Sequence, residues 1–262
     1  MGISKATQET RSVANSFLEW FGELGVFVGQ LLRDGLTPPF EGREIVRQLD
    51  EVGSKSLPLV LLAGAALGVV MSLQMRDSLI RFGAKSLLPA VIVISIIKES
   101  GPIITALVVS GRVAAGIGAE LGSMKVTEQI DAIEASAVSP YKFLAATRVF
   151  ACILVLPLLT VAADFSGIVM GWVANTLVEP ISIRLFIERG FERLTFSDLL
   201  PATFKTTVFG LIIGVIGCFE GMRASGGTQG VGRSATSSVV LASLFIILTD
   251  ILLVRLILTL FP

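Results

Sequence analysis

The sequence predicts an all-α integral membrane protein with five transmembrane helices, an N-terminal interfacial amphipathic helix and one short helix outside the lipid. Three observations carry that prediction. Hydrophobic residues make up 53% of the 262 residues and charged residues 16%, against about 25% charged in ordinary globular chains. The mean hydropathy is +0.81. The charges that remain are excluded from long segments of the length a bilayer requires, about 20 residues each.

Residues 1–16 are polar and mixed, with no apolar core ahead of a small-residue cleavage site, so no cleavable signal peptide is expected. Residues 17–32 are apolar but carry Glu19 and Glu23 and are short for a crossing. They suit a helix lying in the interface, anchored by Trp20 and the phenylalanines. Residues 33–56 read as a polar connector broken at Pro38-Pro39. Residues 1–56 thus form an N-terminal region, and 57–262 the transmembrane domain.

The first span is expected at 57–75, where abundant Gly and Ala suit close helix packing in lipid. A charged turn follows, with Arg76, Asp77, Arg81 and Lys85. The second apolar segment runs from about Leu87 to Ala119 and is interrupted by Lys98-Glu99-Ser100-Gly101-Pro102. Proline there frees backbone groups that need new partners. Residues 120–142 are polar; a short helix is expected to start between Thr127 and Asp131 and to stop at Ser139-Pro140. The third span is expected at 144–175, with Pro157 near its middle. The charged stretch 179–201 belongs in water or at the interface. The fourth span is expected at 202–219 and the fifth at 236–260, joined by a glycine-rich connector over 220–234.

Lys and Arg placement favours a cytosolic N-terminus, which with five crossings puts the C-terminus outside. In that assignment Lys205 counts among the outside charges.

Lys98 and Glu99 lie about ten residues into an apolar helix, hence about 15 Å along its axis. A charge at the bilayer centre costs at least about 2.5–3.5 kcal/mol, so such groups face a bundle interior or a wet cavity. They line a substrate cavity, or they form an internal ion pair that fixes helix packing. In the polar segment 120–138, Ile130, Ile133 and Val138 are placed to dock on a partner, with Glu128, Asp131 and Glu134 supplying charge. An ordinary solvated loop helix fits the same spacing. Asp164 and Asp250 are single acids within apolar spans, suited either to a cavity or proton relay or to helix packing.

Several classes are disfavoured. Zero formal net charge recommends no nucleic-acid partner. The chain has no histidine, the commonest general base and metal ligand. Cys152 and Cys218 sit in separate apolar runs and read as buried, inert thiols. No Walker A pattern occurs, and Gly226-Gly227-Thr228-Gln229-Gly230-Val231-Gly232 follows no strand, so no nucleotide or other cofactor site is expected.

Lys98-Glu99-Ser100-Gly101-Pro102, Gly111-Arg112 and the run Ala119-Glu120-Leu121-Gly122-Ser123-Met124-Lys125-Val126-Thr127-Glu128-Gln129-Ile130-Asp131-Ala132 closely resemble the MlaE (YrbE) family of ABC-transporter permeases. Ser225-Gly226-Gly227 with Gly230-Val231-Gly232-Arg233-Ser234-Ala235-Thr236 resembles its second signature. The resemblance covers the chain from about residue 45 to the end. Ser100 departs from it, standing where the family usually has leucine.

The resemblance implies a non-catalytic transport subunit, a homodimer of five-span chains in a bacterial inner membrane. It implies a cytosolic ABC ATPase, engaged through a cytosolic coupling helix that holds Glu128, Gln129 and Asp131. It implies a periplasmic MCE-domain protein as second partner and phospholipid as cargo, with Lys98 and Glu99 at the lipid-facing cavity between protomers. The alternative from the residues alone is an ion-coupled secondary transporter using Glu99, Asp164 and Asp250. An intramembrane enzyme is disfavoured for want of a nucleophile and base in reach.

Overall fold

The computed structural model describes residues 2–38 and 41–260. Pro39 of the expected break lies outside the described residues, as does the side chain of Phe17. Helices α1 (Gly2–Gly35) and α2 (Gly42–Val52) precede the first long apolar helix, α3 (Leu57–Arg81). The second crossing is one rod of three α-helical pieces, α4 (Leu88–Ser95), α5 (Gly101–Val109) and α6 (Ala115–Val126). Two π-helical turns, Ile96–Ser100 and Ser110–Ala114, join them. Next come α7 (Gln129–Ala135), a π-turn (Tyr141–Ala146) leading into α8 (Thr147–Val178), and the short α9 (Ile183–Phe191). The chain closes with α10 (Phe196–Met222) and α11 (Gly227–Leu260). Five segments are long and apolar enough to cross a membrane: 42–81, 85–126, 141–178, 198–222 and 227–259.

Local chemistry explains most boundaries. Pro58, Pro89 and Pro102 each sit in the first turn of a helix, where the missing N–H costs nothing. The rod survives Lys98-Glu99-Ser100-Gly101-Pro102 because the π-turn carries the Gly101 N–H back to Ile96 O, absorbing the register change that proline imposes. Thr195 and Asp198 form a capping box that starts α10 six residues before the expected 202. The expected stop at Ser139-Pro140 is instead a start: α7 ends at Ala135, and Pro140 opens the π-turn before α8. The glycine-rich connector is mostly helical, since α10 runs to Met222 and α11 begins at Gly227. Positive φ at Gly226 and Gly227 (88° and 69°) makes the tight reversal between them.

Packing depends on small residues. Gly64 and Gly68 of α3 face Ala163 and Gly167 of α8 so closely that a Cβ at either glycine would lie 2.9 Å from the opposing Cα. Without a hydrophobic drive between helices in lipid, such close approach supplies the dispersion contact that holds spans together. α1 lies along the bundle as an amphipathic helix. Its buried Phe27 meets Tyr141 and Phe219 with ring centroids at 5.5 and 5.6 Å, while Leu18, Val26 and Leu32 are exposed. The Trp20 indole N–H donates to Glu220 at 3.2 Å, and Glu23 pairs with Arg223 at 2.6 Å.

Two ends of the bundle result. One holds α1, α2, α7 and the α10–α11 reversal. The other holds the α3–α4 turn, α9, the start of α10 and the end of α11.

Candidate functional site

Lys98 and Glu99 stand on the first π-turn and point to different partners. Lys98 Nζ reaches Asp198 Oδ1 of α10 at 2.6 Å. Glu99 Oε2 accepts from Lys205 Nζ of α10 at 2.8 Å, and the same Nζ lies 2.8 Å from Asp250 Oδ1 of α11. The Asp250 oxygen has no hydrogen bond among the described residues, so Lys205 meets it as an ion pair off the hydrogen-bond line. The internal pair weighed for Lys98 and Glu99 is therefore not between those two residues. They belong to two neighbouring groups, Lys98–Asp198 and Glu99–Lys205–Asp250, that together tie the second, fourth and fifth crossings.

Burial is graded across this network. The Lys205 side chain is 2% exposed and that of Asp250 8%, while Glu99 and Lys98 are 45% and 44% exposed. The inner pair is desolvated and the outer groups face an opening. That opening is a cavity of about 90 Å³ bounded by Lys98, Glu99, Asp198 and Lys205, with Pro201, Ala202, Val254, Ile257 and Leu258 as apolar wall. Liquid water occupies about 30 Å³ per molecule, so the cavity holds a few waters or part of a polar headgroup. Beyond it α11 presents apolar surface, with Ile251, Leu252, Leu256 and Leu258 all exposed.

Lys205 and Asp198 escaped the sequence reading, and Lys205 is a correction to it. The outside reading sets Lys205 only three residues into a fourth span at 202–219; the capping box at Thr195 starts α10 six residues earlier and places Lys205 nine residues into the helix. The usable signal was depth: Lys98, Lys205 and Asp250 each fall about ten residues from the same end of the bundle, and opposite charges at matching depth seek one another. Asp164, on α8, does not join them. Its Oδ1 is buried without a hydrogen-bond partner among the described residues and lies against the backbone at Gly101.

The second group lies at the opposite end. Glu128, with φ 59°, is a left-handed residue that breaks α6 from α7, and Ala137, with φ 61°, closes α7. Lys125 ties the two helices by pairing with Asp131 at 2.7 Å, and the Gln129 amide donates to Thr127 Oγ1 at 3.0 Å. Glu128, Gln129, Asp131 and Glu134 are exposed. The spacing offers Ile130 and Ile133 either to a partner or to solvent. Instead Ile130 is 4% exposed and Ile133 packs on the core, leaving Val138 as the outward apolar residue. A polar face, rather than an apolar stripe, is what α7 presents.

Cys152 and Cys218 are free and buried. Among the described residues no cluster of three metal-ligating side chains occurs.

The model of the Permease MlaE family matches residues 45–256. This chain belongs to the MlaE permease family. A probable ABC transporter permease protein of Rickettsia typhi is 34% identical over 240 residues, covering 92% of this chain and 93% of its own length. A probable ABC transporter permease protein of Synechocystis is 33% identical over 246 residues, covering 93% and 94%. Protein TRIGALACTOSYLDIACYLGLYCEROL 1, chloroplastic, of Arabidopsis thaliana is 33% identical over 235 residues, covering 89% of this chain and 67% of its own. The chain is thus a multi-pass ABC transporter permease, a transport subunit whose class implies an ATPase partner. That membership displaces the ion-coupled alternative.

Proposed function

We propose that this MlaE-family permease moves phospholipid or a similar apolar lipid between a bacterial inner membrane and a periplasmic MCE-domain protein. Two copies of the chain bind two cytosolic ATPases. The carrying observation is the graded network Lys98–Asp198 and Glu99–Lys205–Asp250, which joins three spans and ends on a small polar cavity flanked by exposed apolar α11 surface. A headgroup fits the polar part, tails fit the apolar part, and 90 Å³ in one chain is a half-site that a second copy completes. The relative named for a galactosylated diacylglycerol supports a glycerolipid as cargo.

Lys98 and Glu99 are the headgroup-facing residues of that cavity. Glu128, Gln129 and Asp131 form the face on which the ATPase pushes, because α7 is bracketed by two left-handed residues and held by Lys125 as one piece. Residues 1–56 brace the transmembrane body of 57–262. The N-terminus and α7 are cytosolic, and the α9 end and C-terminus are periplasmic.

Co-purification tests both assignments. Glu128→Lys is expected to leave the chain inserted and its lipid content intact while the ATPase is lost from the complex. Lys98→Ala with Glu99→Ala is expected to retain the ATPase and lower the lipid recovered. ATPase association that survives the first change removes the coupling assignment; unchanged lipid occupancy after the second removes the cavity assignment.

A further inference from the structure

A second cavity, of about 390 Å³, opens at the α9 end, remote from α7 and outside the Lys98–Lys205 network. The α3–α4 turn supplies Lys85, the end of α8 supplies Asn175, the segment after it Glu179, and α9 Arg189. Leu88, Ile181 and Leu185 form an apolar floor. Glu179 is committed already: it pairs with Lys85 and with Arg76 Nη2 at 3.1 Å, while Arg76 Nη1 donates to Asn175 Oδ1 at 2.9 Å. The hydrogen bond from Lys85, foremost, holds the Glu179 carboxyl below the usual carboxylate range, so the network stays charged. One acid therefore stands among three bases, Arg76, Lys85 and Arg189. Arg189 is exposed and has no ion-pair partner among the described residues.

The surroundings fix the depth of this cavity. α9 packs inward through Phe186 and Gly190 on Pro89 and Val93. Ile183, Ile187 and Phe191, one per turn, form an exposed apolar stripe, and Arg184 and Glu188 continue the exposed surface away from the buried Phe186 and Gly190. That is the pattern of a helix lying in the membrane interface. Phe82 and Leu177, each 84% exposed, flank the same end, and the Trp172 indole, donating to Ile181 O at 3.0 Å, sits at the level where amphipathic rings collect. A cationic pocket with an apolar floor at headgroup depth matches an anionic amphiphile: guanidinium and ammonium take phosphate oxygens, and the floor takes the first methylenes of an acyl chain.

We propose that the cavity between the α3–α4 turn, the end of α8 and α9 is a binding site for the phosphate headgroup of a glycerophospholipid in the leaflet on the α9 side. It is a peripheral lipid site, separate from the cavity at Lys98 and Glu99. Arg189 and Lys85 bind the phosphate, and Glu179 with Arg76 holds Lys85 in place. The proposal does not rest on which lipid is transported, since binding is read at equilibrium without ATP.

The probe is soluble dihexanoyl-phosphatidylglycerol, titrated into the purified, detergent-solubilised full chain against inorganic phosphate. Arg189→Gln leaves the Lys85–Glu179–Arg76 network intact and is expected to weaken the lipid at least fivefold. Lys85→Gln with Arg189→Gln is expected to weaken it further. Arg184→Gln, elsewhere on the exposed surface of α9, removes an equal charge and is expected to change affinity less than twofold. Inorganic phosphate is expected to bind at least tenfold more weakly than the lipid. Equal loss from Arg184→Gln and Arg189→Gln reduces the effect to surface charge and overturns the site. Phosphate binding as tight as the lipid makes it a site for free anions and overturns the lipid assignment. If the double variant fails to fold, Arg189→Gln alone decides: affinity unchanged by it overturns the site.

Discussion

Lys205 shows what a single residue does in this fold. An ammonium 2% exposed within a membrane span is tolerated because two carboxylates meet it, one buried and one at the cavity mouth. Removing one partner of a buried pair costs about 3–5 kcal/mol, an upper bound here because Glu99 is half solvated. Lys205→Met is expected to lower the melting midpoint of the detergent-solubilised chain. Lys205→Met with Asp250→Asn is expected to recover most of it, because no uncompensated buried charge remains. A single variant that melts like the wild type would show that the ammonium is not desolvated. Lys98 and Glu99 were legible in the sequence, since charges stand out against an apolar run. Their partners were not, because pairing across the first π-turn, α10 and α11 depends on rotation and depth that no single helix encodes. Lys205 is misplaced for a nearer reason: a boundary six residues late leaves it three residues into the fourth span, shallow enough to read as an outside charge, when it lies nine residues in.

At the scale of elements, the packing of α3 on α8 rests on spacing. Gly64 and Gly68 repeat every fourth residue, as do Ala163, Gly167 and Gly171 opposite them. Gly68→Ala places a methyl where the Gly167 backbone already lies, and overpacking of this kind costs about 1–3 kcal/mol. Gly25→Ala on α1 meets nothing within 4 Å and is expected to be neutral or slightly stabilising, because alanine is the better helix former. Thermal melts of the two variants side by side separate close packing from helix propensity, and equal midpoints would deny the tight α3–α8 contact. The abundance of small residues in 57–75 announced a packing face; which helix it met was not written there. The π-turns were half legible. Pro102 marks the place where an α-helix cannot continue unaltered, but periodicity cannot distinguish a break from a one-residue widening. In α7, composition suggested an amphipathic helix and misassigned its faces, since Ile130 and Ile133 turn into the molecule's own core.

For the whole molecule, the number of crossings decides which face meets which partner. All five spans were legible, because hydrophobic length is a one-dimensional property that survives without knowledge of packing. Sidedness rests on a modest excess of Lys and Arg at the α7 end, so it calls for direct measurement. The native thiols Cys152 and Cys218 are buried, which leaves a low background for labelling of introduced cysteines. Glu134, on α7, and Glu188, on α9, are both exposed and sit at opposite ends of the bundle. In intact cells made permeable only at the outer membrane, a membrane-impermeant maleimide is expected to label Glu188→Cys, and Glu134→Cys only after the inner membrane is opened. Reversed labelling would put α7 on the far side from any cytosolic ATPase, and the coupling role proposed for Glu128, Gln129 and Asp131 would fall with it. Labelling of both positions from one side would require an even number of crossings between them. Only the third span, α8, lies between Glu134 and Glu188, so that outcome would deny that 141–178 spans the bilayer at all.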